Sequence, residues 1–249
     1  GSEMCIRDRY YSGFDYRVEH NITGSSAGDQ TNYQIKIVIH NGTGTSSGDT
    51  YYTTNIAQSD FDDIRFTWYN SSSGEEEPCD YWRETYVAGE YAIFWVEVPS
   101  IPSSGDTTVY IYYGNSTVTT ASNGSDTFVM FDDFEGSTTL STRLNYATSA
   151  GGVGNYELST SWAKHNSYSF RYYEDSSSND GSVEAYSTVS ETEQYCTEVW
   201  VKPSFDNPPA DFHFGLLLSD QLTFMVGDFG ADNDPRIGVY NMTDRTYIE

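Results

Sequence analysis

Residues 90–98 read EYAIFWVEV, and their alternation decides the fold class. Ala92, Phe94, Val96 and Val98 fall on one face of an extended chain, and Tyr91, Ile93 and Trp95 on the other. A segment apolar on both faces is the pattern of a strand in the middle of a sheet. Residues 33–40, YQIKIVIH, repeat the period, with Tyr33, Ile35, Ile37 and Ile39 against Gln34, Lys36, Val38 and His40. Residues 107–115, TTVYIYYGN, alternate Val109, Ile111 and Tyr113 with Tyr110 and Tyr112. β-Branched and aromatic residues fill these runs, and the clusters GTGTSSGD (42–49), SSSGEEEP (71–78) and SIPSSGD (100–106) punctuate them. No segment sustains a 3.6-residue stripe. The chain is all-β.

A second set of extended runs follows Phe131: YSFRYYE (168–174), SVEAYSTV (182–189), EQYCTEVWVKP (193–203), DFHFGLLLSD (211–220), QLTFMVGDF (221–229) and RIGVYN (236–241). SSSNDGS (176–182) has the composition of a tight hairpin turn. A strand about every ten residues with polar turns between is the spacing of β-sandwiches. The expected architecture is two β-sandwich domains in tandem, residues 10–125 and 126–249. The boundary lies in ASNGSDTFVMFDDFEG (121–136), where a polar linker gives way to a new apolar run.

The first nine residues, GSEMCIRDR, fit neither domain. Read back into codons, they resemble the in-frame translation of a transposase-type sequencing adapter, so residues 1–9 are expected to be an assembly scar on a metagenomic fragment. Net charge is −25 with three lysines, Lys36, Lys164 and Lys202. Such a field repels nucleic acid and anionic lipid, so neither is an expected partner. It also keeps an extracellular protein soluble where salt screens self-repulsion. No apolar run approaches the roughly 20 residues that span a bilayer, so no membrane insertion is expected in this fragment. Asparagines 21, 41, 70, 115, 123 and 241 sit in Asn-x-Ser/Thr, where glycosylation on an exported chain is one reading and chance the other. Cys79 and Cys196 are read as free thiols.

SDFDDIRFTWYNSSSGEEEP (59–78) and FWVEVPSIPSSGDTTVYIYYGNSTVTTASNGSDTFVMFDDFEG (94–136) resemble the family catalogued as domain of unknown function 2341. Its recurring elements correspond to Tyr16-Arg17, Asp63 to Phe66, Trp95 to Pro102, Val109 to Asn115, Ala121 to Gly124 and Phe131 to Gly136. Phe14 stands where the family usually has tryptophan. The resemblance implies a secreted or surface-displayed prokaryotic β-sandwich and no catalytic residues. After FDDFEG the chain resembles the concanavalin A-like (laminin-G-like) jelly rolls. AKHNSYSFRYYE (163–174) is similar to their Gly-x-x-Ser-Leu strand, with Asn166 in the glycine position, and TEVWVKPS (197–204) to another of their strands. The second domain is therefore expected to be a jelly roll, incomplete at its C-terminus.

Three groups of residues bear on chemistry. In FDDFEG, read as a strand, Asp133 and Glu135 share a face, and hard oxygen ligands suit calcium. The jelly-roll resemblance implies that Glu135 ligates a structural calcium, with carbonyl oxygens of residues 164–166 completing the site. A solvated acidic linker is the alternative. The second group, Asp228, Asp232 and Asp234, lacks EF-hand order and reads as an Asp-Pro turn. The third is aromatic: Tyr110, Tyr112, Tyr172, Tyr173, Trp95 and Trp200 offer faces that suit a pyranose ring, or simply cover their sheet neighbours. Trp200 leads, since Glu198 and Lys202 on its face are polar.

Glycoside hydrolysis needs two carboxylates across a cleft. The Glu-x-Asp-x-x-Glu strand of concanavalin-like glucanases finds no match around Glu191 and Glu193, and the four histidines lack metal spacing. The expected function is that of a non-catalytic extracellular or cell-surface module pair, not an enzyme, serving adhesion or recognition of glycans or other surface proteins. The alternatives are accessory domains of a secreted polysaccharide-degrading enzyme, or a structural stalk or filament subunit.

Overall fold

The structure, a computed structural model, describes residues 10–129, 131–135, 145–148, 154–164, 166–174, 183–186, 213–217, 222–228, 235–241 and 246–248. The chain divides into two compact units, 1–194 and 195–249. The first contains β1 (Tyr16–Thr23), β2 (Gln30–Asn41), β3 (Thr50–Thr53), β4 (Arg65–Asn70), β5 (Glu75–Pro78), β6 (Tyr81–Val87), β7 (Tyr91–Ile101), β8 (Asp106–Tyr113) and the single-turn helix α1 (Gly124–Thr127).

These strands form two four-stranded sheets, ordered β1-β8-β4-β5 and β3-β2-β7-β6. The first is antiparallel throughout. In the second, β2 and β6 flank β7 antiparallel, while β3 runs parallel to β2. EYAIFWVEV is thus a central strand, as its two apolar faces require. Ala92, Phe94, Val96 and Val98 point inward and are fully buried, meeting Phe66, Val109 and Ile111 of the first sheet. The Phe66 ring packs edge-on against Phe94 and Tyr81 at 5.4 and 5.1 Å, the arrangement that ring quadrupoles favour. Trp68 buries its indole in the same core because its N–H donates to Thr107 Oγ1 at 2.7 Å. Cys79 is a buried free thiol, and burial pushes its ionisation up, which keeps it unreactive.

Two details differ from simple alternation. Tyr33 shares the parity of Ile37 and Ile39 yet is 52 % exposed. β6 carries a bulge between Arg83 and Thr85, which offsets its register on β7 and blunts that sheet edge against further pairing.

Further along the chain, β9 (Asn145–Thr148) pairs with β12 (Val183–Tyr186), and β10 (Gly154–Ser159) with β11 (Ser169–Glu174). In the second unit, β13 (His213–Leu217), β14 (Leu222–Asp228), β15 (Pro235–Asn241) and β16 (Thr246–Ile248) form an antiparallel meander in sequence order. Apart from α1 the described elements are all strands, so the all-β class holds. No helix among the described residues is long and apolar enough to cross a membrane.

His20 lies where β1 meets the second sheet, its Nδ1 2.8 Å from the Tyr51 hydroxyl. Burial lowers its pKa below the ordinary 6.5, against a smaller opposing pull from Asp49. The unfolded chain therefore takes up this proton first as pH falls. His20 contributes stability that is full above pH 6.5 and declines below it. Melting of wild type and His20→Gln between about pH 7 and 5 is expected to show a shallower decline in the variant.

Candidate functional site

The outer face of the first sheet is dominated by one polar network. Glu76 on β5 forms an ion pair with Arg17 on β1, at the opposite edge of the sheet. On the way its second carboxylate oxygen accepts hydrogen bonds from Thr67 Oγ1 at 2.7 Å and Tyr112 Oη at 2.5 Å. One carboxylate thus ties all four strands. The Arg17 guanidinium lies over the Tyr110 ring, 4.4 Å from its centroid, and Tyr11 packs edge-on against Tyr112 at 5.5 Å. Tyr112 is fully buried, and burial and the bond to Glu76 raise its pKa. It is therefore a strut of the sheet and not a sugar platform, a correction that follows from partners distant in sequence.

The other family-like motifs do similar work. Asp63, fully buried, accepts from the backbone N–H of Ala57 at 2.7 Å and of Gly114 at 2.9 Å, joining DIRF to YYGN. Arg65 donates to the Tyr81 hydroxyl and to the carbonyls of Asp62, Ile64 and Thr119. Arg83 pairs with Asp62 at 2.6 Å.

Residues 121–129 and Phe131 strap the outer face of the second sheet. Asn123 caps α1 by accepting from Ser125 N, and Asn123 N donates to Tyr81 O at 2.8 Å. Phe128 and Phe131 stack on each other and pack against Trp82, and Phe128 also meets Trp95. Gly124 makes this possible, because a Cβ there would sit 2.2 Å from the Phe131 ring. The boundary drawn between residues 125 and 126 falls inside α1, and Thr127, Phe128 and Phe131 beyond it still pack on this sheet. Trp95 is held by Phe128 and by its N–H bond to Glu84 Oε2 at 2.9 Å, which sets it into the strap.

A shallow, open groove of about 410 Å³ lies at the edge of the second sheet, lined by residues 42–44 and 52–55 and by Tyr113. Its origin is local. β2 and β3 are parallel neighbours joined by only the eight residues 42–49, far fewer than a parallel crossover normally needs. GTGTSSGD makes the return, with Gly42 N bonded to Thr53 O at 2.8 Å and Ser46 Oγ accepting from Tyr52 N at 3.0 Å. Gly44 lies on the Tyr52 ring, where a Cβ would come within 2.3 Å. His40 stacks on Tyr52 at 4.6 Å and 10°, and Tyr16 on Tyr113 at 5.3 Å and 14°. Stacked rings and backbone hydrogen bonds thus brace the groove walls. Its sequence signal was present, a glycine- and threonine-rich loop followed by TYYTTN, but it reads only as turn punctuation.

The residues expected to hold a metal lie in FDDFEG, of which residues 131–135 are not a strand. Asp132 and Asp133 each accept the N–H two residues on, at 2.7 and 3.0 Å, and Phe134 adopts a left-handed φ of 61°. Asp133 and Glu135 therefore do not share a strand face, because short aspartates bond their own backbone and turn the chain. Glu135 does meet the segment before β11. Its Oε1 accepts from Ser167 N at 2.8 Å and Tyr168 N at 2.6 Å. Asn166, with φ 50°, supplies the left-handed turn that aims these N–H groups at the carboxylate. Among the described residues, no group of three or more His, Cys, Asp or Glu is arranged to hold a metal ion. Tyr172 and Tyr173 are consecutive in β11, opposite Tyr156 and Asn155, so the two positions belong to opposite faces of that strand pair. Trp200 and Cys196 lie outside the described residues.

No curated protein and no solved structure matches the chain. Residues 60–148, which carry DIRF, VPSIP, YYGN, ASNG and FDDFEG, match the family described as Domain of unknown function (DUF2341).

Proposed function

We propose that the protein is a non-catalytic extracellular recognition module, displayed at a cell surface for adhesion to glycans or to other surface proteins. The observation that carries this is an open surface depression of about 410 Å³, lined only by uncharged residues and flanked by stacked rings. The family-like motif residues are engaged in holding the sandwich, as Arg17, Asp63, Arg65 and Gly124 show, and the ligand-facing surface is a loop beside them. The same proposal places a jelly roll after the sandwich in tandem, with Trp200, Tyr172 and Tyr173 as contact residues and a structural calcium at Glu135 with Asp133.

The test is binding of the intact chain to immobilised cell-surface material, both polysaccharide and protein fractions, in calcium and in chelator. Saturable retention is the expected result, and calcium is expected to strengthen it. Absence of retention from every fraction in both conditions would remove the recognition function.

A further inference from the structure

We infer that the groove takes a neutral, hydroxyl-rich ligand, that is, an uncharged saccharide unit, and that Thr54 and Asn55 are its polar contacts. The inference rests on the recognition function proposed above and selects among its ligands.

Charge selects first. The chain carries −25, yet the groove lining consists of glycine, threonine, tyrosine and asparagine. A carboxylate or sulfate ligand would enter a negative field and find no cation among these residues. A cationic ligand would find no carboxylate there to pair with. An uncharged concavity in a strongly charged protein rejects both by leaving their charges uncompensated.

The polar groups select next. Thr43, Thr53 and Thr54 bring hydroxyls, each able to donate once and accept twice, and Asn55 brings a carboxamide with two donors and an acceptor. Thr54 and Asn55 are exposed at the rim, where Asn55 N donates to Thr53 Oγ1 at 3.1 Å. Mixed donors and acceptors at close spacing complement a ligand that is itself both donor and acceptor on neighbouring atoms, as vicinal hydroxyls are.

Shape selects last. Tyr52 has one face against Gly44 and is stacked with His40, so it serves as a rigid wall that presents its edge. Tyr113 is braced by Tyr16 and offers ring surface to the C–H face of a sugar. Walls braced in this way lose little freedom on binding, which favours affinity for a small ligand.

The experiment is a glycan array carrying neutral, uronate-bearing, sulfated and sialylated oligosaccharides, probed with the intact wild-type chain, Asn55→Ala and Thr54→Asp. Both positions are exposed, and native melting of the variants confirms the fold. The expected result is binding confined to neutral glycans and weakened about fivefold or more by each substitution. Preference for acidic glycans would overturn the inference, as would loss of less than about fivefold in either variant. Binding of surface proteins without any glycan would overturn it and leave the recognition function standing. Silence toward glycans, proteins and cells alike would overturn both.

Discussion

Glu76→Ala is expected to destabilise the sandwich by about 2–3 kcal/mol, the cost of removing the acceptor of two buried hydroxyls and the partner of a partly buried guanidinium. The side chains of Arg17 and Glu76 are 20 % and 10 % exposed, so water replaces the lost bonds less completely than at a surface pair. The substitution also takes away the acceptor of the Thr67 and Tyr112 hydroxyl protons, both on fully buried residues. Urea unfolding of wild type and variant measures the difference directly. Glu76→Gln keeps an acceptor for one hydroxyl while removing the charge, and should fall between the two. A loss under about 1 kcal/mol for Glu76→Ala would mean that the network behaves as an ordinary exposed ion pair.

The second large effect concerns the strap. Gly124→Val forces atoms into the space of the Phe131 ring and is expected to cost about 2–3 kcal/mol by overpacking. Phe131→Ala should cost about 2 kcal/mol, since the ring is only half-buried. The decisive measurement is the double variant. Removing the ring makes room for the valine, so the combined loss should fall short of the sum by about 1 kcal/mol or more. Additive losses would show that the strap is not seated by this contact. Tryptophan emission reports the same event, because lifting the strap wets Trp82 and Trp95.

How much of this was legible depends on how far apart in sequence the partners lie. The alternation in EYAIFWVEV identified a central strand and its buried set, because strand parity is a property of consecutive residues. The same parity made Tyr110 and Tyr112 look equivalent. What separates them is Glu76, which reaches Tyr112 from another strand, and no local pattern announces that. FDDFEG reads as a strand because it opens a new apolar run after a polar linker, yet Asp132 and Asp133 bond the backbone two residues on and turn it instead. Asn166 was placed at a glycine position by resemblance, and its φ of 50° shows the same backbone demand. The groove was the least legible feature. It depends on a parallel β2–β3 pair made by a very short loop, and short-range rules do not anticipate that connection.

The pairing of β1 with β8 also sets a timetable. Val18 lies against Ile111, and Ile37 against Phe94, so every ladder of the sandwich core except β4–β5 and the neighbouring β2–β3 and β6–β7 pairs waits for distant chain. A ribosome delivers β1 and β2 first. YQIKIVIH must then remain without its antiparallel partner until β7 has been made, and the first sheet cannot form until β8 follows. Long loops must close before their contacts are rewarded, which makes such topologies slow folders. During that interval the nascent strands present unpaired edges to one another on neighbouring polysomes. A strongly acidic chain has an advantage at this stage, because like charge keeps half-made copies apart until β8 arrives.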